Sequence, residues 1–216
     1  MAGSPVSMAT RREAVIDRIL HLAAIAAAVV GSGILVRSLA DAARPELEVP
    51  ISLYIFGLLA MLICSALYNA ADRSPWRPVL RRLDYAAIFV LVAGTYSPFL
   101  GGSTNNRILG VAYAAVWILA LAGVLAQLLF HGRIRKGLSV ALYLALGWSV
   151  ILIIGPVSTI LPAKILWLIA LGGMLYTAGV LFHVARRFPY QNAIWHGFVV
   201  TAASVHYIAV LTLVRS

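Results

Sequence analysis

The chain has 216 residues, 62% of them hydrophobic and only 11% charged, with a mean hydropathy of +0.94, where a soluble domain carries about 25% charge. The formal net charge of +10 would suit nucleic acid, but the basic residues form short clusters between apolar runs, the pattern of membrane anchoring, and nucleic acid is excluded as a partner. The composition therefore predicts one membrane-embedded domain over residues 1–216.

In chain order, residues 1–15 read as a cytoplasmic tail, and the apolar stretch that follows is too long for a signal core, so it reads as a retained first span. A hydrocarbon core about 30 Å thick needs roughly 20 apolar helical residues. Seven segments qualify, near 19–39, 50–69, 84–100, 108–130, 138–156, 163–184 and 193–214. Helices are expected because lipid offers backbone groups no partner, and the alternation of barrel strands is absent. The fold class is all-α, a polytopic seven-transmembrane-helix bundle. Between spans five and six, Gly155, Pro156 and Pro162 in "GPVSTILPAK" predict a tight turn.

Twelve of the 17 lysines and arginines fall in the amino tail and the second, fourth and sixth loops, and five on the other side. This bias predicts a cytoplasmic amino terminus and an external carboxyl terminus. The single cysteine, Cys64, lies inside a span and can form no intrachain disulfide. Gly172, Gly173, Thr177 and Gly179 in span six, and Gly197 and Thr201 in span seven, suit close helix contact. Trp76, Tyr85 and Trp195 read as headgroup-level anchors, and His131 and His183 as interfacial.

Polar residues collect at one level. Span two ends with Ser65 and Asn69, span three begins with Asp84, and span seven begins with Asn192 and His196. Each i, i+4 pair shares a helix face about 6 Å apart along the axis. His21 and Gln127 lie near the same leaflet, whereas His206 is about 15 Å deeper than His196. Of the acids, Glu13 and Asp17 are placed near the internal boundary, and only Asp84 begins a span. Asp84 has a second reading as the cap of span three, and Ser65, Asn69, Asn192 and His196 as hydrogen-bonding residues between helices. The middles of the spans carry only scattered Thr95, Ser149, Thr177, Thr201, Ser204 and His206, which disfavours a broad ion pore.

"SALYN", "LRRLDYAAIFVLVAGTYSPFL", "GLSVALYLALGW" and "RRFPYQNAIWHGFVV" together resemble the hemolysin III family of bacterial membrane proteins, relatives of the progestin and adiponectin receptors. The resemblance implies seven helices with a cytoplasmic amino terminus, and an inner-leaflet zinc site of three histidines with an aspartate that orients zinc-bound water. By position Ser65 matches the serine of the second-span motif, Asp84 the aspartate and His196 the last histidine. Asn69 and Asn192 stand where the other two histidines belong. An amide oxygen is a poor zinc donor, so zinc is disfavoured. His21 or His206 would have to rewire the site, and Gln191 is turned about 100° from Asn192.

The expected site is a degenerate polar cluster of Ser65, Asn69, Asp84, Asn192 and His196, with Asp84 bonded to the asparagine amides or to His196. If a metal binds, His196 and Asp84 are its donors. The expected function is a lipid-sensing, membrane-homeostasis or cytolysin-like role, with membrane lipids and a fatty-acid or sphingolipid-like ligand as partners. Its alternatives are a zinc-dependent lipid amide hydrolase of the ceramidase-like kind, with Asp84 catalytic, and a channel or transporter.

Overall fold

Backbone amides in lipid have no partner but one another, and the computed structural model satisfies them with helices. It describes residues 5–72, 74–102, 106–130, 136–185 and 190–216, the side chains of 5–11, 136 and 185 apart. The order is α1 (Pro5–Ala42), a 3-10 turn at Pro45–Leu47, α2 (Glu48–Ala70), α3 (Arg77–Leu100), α4 (Arg107–Phe130), α5 (Lys136–Trp148), a 3-10 segment at Ser149–Ile153, α6 (Ile154–Ile160), α7 (Ala163–Ala185) and α8 (Gln191–Arg215). Seven of the resulting segments are long and apolar enough to cross a membrane, α5 and α6 jointly forming the fifth, and the chain is an integral membrane protein. His131 lies outside the described residues.

Three boundaries differ from the sequence expectation, each for a local reason. Pro78 sits in the first turn of α3, where its fixed φ favours initiation, so the helix starts at Arg77 and Asp84 lies about two turns inside it. Asp84 is therefore no cap. Helix α1 begins well before residue 19, which puts Asp17 inside the first helix. Span five continues through Gly155 and Pro156 to Ile160, and the chain turns at Leu161, whose backbone is extended as the residue before Pro162 must be.

The bend in span five leaves backbone groups without helical partners, and a neighbouring helix supplies one. The Tyr96 hydroxyl accepts from the Val150 amide at 2.9 Å and lies 2.9 Å from the Gly147 carbonyl and 3.1 Å from that of Leu146.

The helices close into a ring in which α1 packs on α2, α2 on α3, α3 on α4, α4 on α5 and α6, α5 on α7, α7 on α8 and α8 on α1, while α3 also reaches α5 and α8 across the middle. Helices α2 and α3 meet backbone to backbone. A Cβ added at Gly57 would lie 2.8 Å from the Val90 carbonyl oxygen, and one at Gly94 would lie 2.8 Å from that of Leu53. In α7 the small residues do meet neighbours: Gly172 faces His206, Gly173 faces Trp148, and Gly179 faces Phe198 and Trp195, while Thr177 accepts from the Trp148 indole. In α8, however, Gly197 faces open space and Thr201 is exposed and bonds its own helix, so these two make no close contact.

Helices α1 and α8 run parallel, because both start at the same end of the bundle. Their contacts keep a nearly constant offset: Glu13 with Asn192, Asp17 with His196, Gly31 with Tyr207, and Ser38 with Arg215. This register positions the site.

Candidate functional site

One face of α1 carries Asp17, His21, Ala24, Ala28, Gly31, Leu35 and Leu39, all buried. The spacing of three or four residues is that of a core-facing helical stripe. Its outer end is thus polar where the rest is small and apolar. The matching stripe of α8 runs through Val199, Ala203, His206, Val210 and Leu213, with His196 one turn before it. In α2 the stripe Ile51, Tyr54, Leu58, Met61 and Leu62 ends at Ser65.

These stripe ends converge. His196 Nδ1 lies 2.5 Å from Asp17 Oδ1, and the carboxylate can only accept, so the imidazole Nδ1–H donates. His21 Nδ1 donates to the Asp17 main-chain carbonyl at 2.8 Å and lies 3.5 Å from Asp17 Oδ2. The two rings meet edge to face with centroids 4.4 Å apart. Their Nε2 atoms both turn to the Ser65 hydroxyl, at 3.2 Å from His21 and 3.5 Å from His196. Asp84 faces the same hydroxyl and the His196 ring from α3. Four helices thus contribute to one polar cluster. Its members are enclosed, the Asp17 side chain being 7% exposed and that of His196 12%.

Of the residues expected from sequence, Ser65, Asp84 and His196 come together. Asn69 is near, but its amide donates to the Ser65 carbonyl at 2.9 Å and reaches the Ser65 hydroxyl only at 3.5 Å. Asn192 does not join: its side chain is exposed, and its backbone N–H donates to Glu13 Oε1 at 3.1 Å, so that Glu13 satisfies an open amide in the first turn of α8. The Asp84 carboxylate accordingly faces a serine and a histidine rather than two amides. Gln191 donates to the His183 carbonyl at 2.9 Å, and His183 stacks at a tilt on Trp195.

His206 stays away from the cluster. Its ring lies in the space left by Gly172, and its Nε2 is 3.1 Å from the Ile169 carbonyl. Gln127 is buried and donates to Ser139 at 2.8 Å, tying α4 to α5. Sequence reasoning left Asp17 and His21 out of the cluster, although it set His21 near the same leaflet. A signal was present, since Glu13, Asp17 and His21 repeat at i, i+4 in line with Ala24 and Ala28, but an apolar segment taken to begin at residue 19 leaves Asp17 outside the membrane.

A three-histidine metal site does not fit this arrangement. Asn69 spends its amide on its own helix and Asn192 points away, and neither side chain is a strong donor to zinc. What the bundle presents instead is a group of Asp17, His21 and His196, with one potential donor atom from each lying within 4.8 Å of the others.

The sequence matches the family model described as Haemolysin-III related over residues 10–207. It is 34% identical over 163 residues to the "Hemolysin-3 homolog" of Bacillus subtilis (strain 168), covering 74% of this chain and 76% of that protein. It is 29% identical over 163 residues to the "Hemolysin-3" of Bacillus cereus, covering 76% of this chain and 74% of that protein. The "Monocyte to macrophage differentiation factor" of Homo sapiens is 30% identical over 200 residues, 88% of this chain and 79% of that one. With a seven-span helical architecture and a family match over nearly its whole length, the chain belongs to the Haemolysin-III related family.

Proposed function

We propose that this protein is lipid-responsive, and that the polar cluster of Asp17, His21, Ser65, Asp84 and His196 receives the polar end of a membrane lipid. The observation that carries this reading is the Asp17–His196 contact, buried at the end of a mainly apolar bundle core. Ionisable groups within membrane helices are expensive and are kept where they act. Beyond the cluster, Ala24, Ala28, Leu58, Met61, Leu62, Val199 and Ala203 close the interior, which supports a site open at one end rather than a channel. The distribution of basic residues supports placing that end at the cytoplasmic leaflet of a bacterial inner membrane, where anionic lipid is attracted. Native mass spectrometry of the purified protein tests the reading. A lipid retained by the wild type and lost on His196→Ala or Ser65→Ala is the expected result; equal retention in all three would refute it.

A second reading, a metal-dependent lipid amide hydrolase, is favoured by the donor types gathered around Ser65. Two imidazoles and a facing carboxylate are the groups such chemistry uses. Ceramide turnover by wild type but not by Asp84→Ala would establish it, and no turnover by either would remove it.

A further inference from the structure

The metal site that family resemblance places on spans two and seven is missing two of its imidazoles, yet the one that remains, His196 on α8, is paired with His21 of α1. We propose that His21 and His196 bind a divalent transition-metal ion of the zinc class through their Nε2 atoms. In this site Asp17 orients both rings from behind, and Asp84 is the facing carboxylate.

The argument begins with tautomers. A histidine binds a metal as the neutral ring through one nitrogen, and the hydrogen bond made by the other nitrogen decides which one is free. His21 Nδ1–H is committed to the Asp17 carbonyl at 2.8 Å, and His196 Nδ1–H to the Asp17 carboxylate at 2.5 Å. Both Nε2 lone pairs are thereby left available. They do not diverge, since each turns to the same hydroxyl, Ser65 Oγ, at 3.2 and 3.5 Å. Two imidazoles held from behind by carboxylate or carbonyl, and converging in front, match the outer-shell support that metal-ligating histidines receive.

Burial adds to the case. The His21 and Asp17 side chains are 6% and 7% exposed, and Asp84 on α3 interacts with Ser65 and His196, so a cation would arrive among enclosed nitrogen and oxygen donors. A purely structural pair needs a donor for each Nε2 as well as the Asp17 bonds, and the one Ser65 O–H can serve only one of them at a time. Such a pair leaves at least one of two converging enclosed acceptors without a donor, whereas a bound cation would satisfy both. Asn69, one turn from Ser65, spends its amide on the backbone and is not needed.

The site shares residues with the lipid-responsive reading but does not require it, and the two are measured separately. Full-length protein, expressed with zinc, purified in detergent and washed with chelator, is reloaded with zinc, and bound metal is counted by elemental analysis. About one zinc per chain is expected in the wild type, in Asn69→Ala and in Asn192→Ala. His21→Ala and His196→Ala are expected to lose it, and Asp17→Asn to weaken binding about 10–100-fold, as removal of an outer-shell partner does. His21→Gln, which keeps a polar end of similar size, is run beside the alanine variant with circular dichroism and size exclusion to show that the bundle is intact. Cobalt(II) loaded into stripped wild type should give visible absorption of nitrogen–oxygen coordination that His21→Gln abolishes. A wild type without zinc, zinc retained by His21→Gln, or a cobalt spectrum indifferent to that change would each overturn the inference, whatever the lipid measurement shows.

Discussion

Asp17 and His196 stand 2.5 Å apart, although they are 179 positions apart in the chain. One turn closer to the start of both helices, Glu13 meets Asn192. Two parallel helices with i, i+4 polar residues thus form a short ladder, its inner rung buried and its outer rung exposed. Removing Asp17 leaves a buried imidazole N–H without an acceptor, which costs about 1–3 kcal/mol. Removing Glu13 exposes an amide that water can serve, costing about 1 kcal/mol or less. Thermal unfolding in detergent should therefore fall further for Asp17→Ala than for Glu13→Ala, and the reverse order would show that the inner rung is not the tighter one.

At the α2–α3 crossing the contact is backbone on glycine, so there is no flexible side chain to yield. A methyl group at Gly57 or Gly94 would stand 2.8 Å from a carbonyl oxygen and must push the helices apart. Gly57→Ala and Gly94→Ala are each expected to destabilise by about 1–3 kcal/mol. Gly33, where an added methyl group would meet nothing within 4 Å, is the control: Gly33→Ala should be neutral or stabilising by up to about 1 kcal/mol, from helix propensity alone.

His206 and Gly172 occupy one space. A Cβ at Gly172 would overlap His206 Nε2, displacing the ring from the Ile169 carbonyl. Gly172→Ala and His206→Ala should each destabilise the protein, but the double variant should be less damaged than the sum, with a coupling of about 0.5–3 kcal/mol. Strict additivity would mean the two residues do not share that space.

Tyr96 serves the bend in span five. Tyr96→Phe keeps the ring but leaves the Val150 amide, which the hydroxyl meets at 2.9 Å, unsatisfied inside the bundle, at about 1–3 kcal/mol. Amide hydrogen exchange should rise at 149–153 and stay unchanged in α8. Protection unchanged at 149–153 would show that the bend is held by other means.

Much of this protein is legible in its composition. Seven apolar segments must be helices because lipid leaves the backbone no other partner, and the spans follow from length. Ser65, Asp84 and His196 were likewise legible, since the depth of a side chain in a helix follows from its count along the chain. Boundaries were less so. Pro78 moved the start of α3 outward and Pro156 failed to end span five, because proline in a first turn is tolerated and a bend can be repaired by a hydroxyl from another helix.

The sequence by itself determined the class, the number of spans and the end of the bundle where polar groups gather, all being properties of single helices. Only the tertiary structure decided which polar groups meet. That depends on the rotation and register of α1 against α8, which turns Asp17 and His21 inward while Asn192 points out. Rotation and register are set by packing along the whole helix pair, by the small residues Ala24, Ala28 and Gly31 that let α1 sit in the ring, and no single residue type at the site announces them.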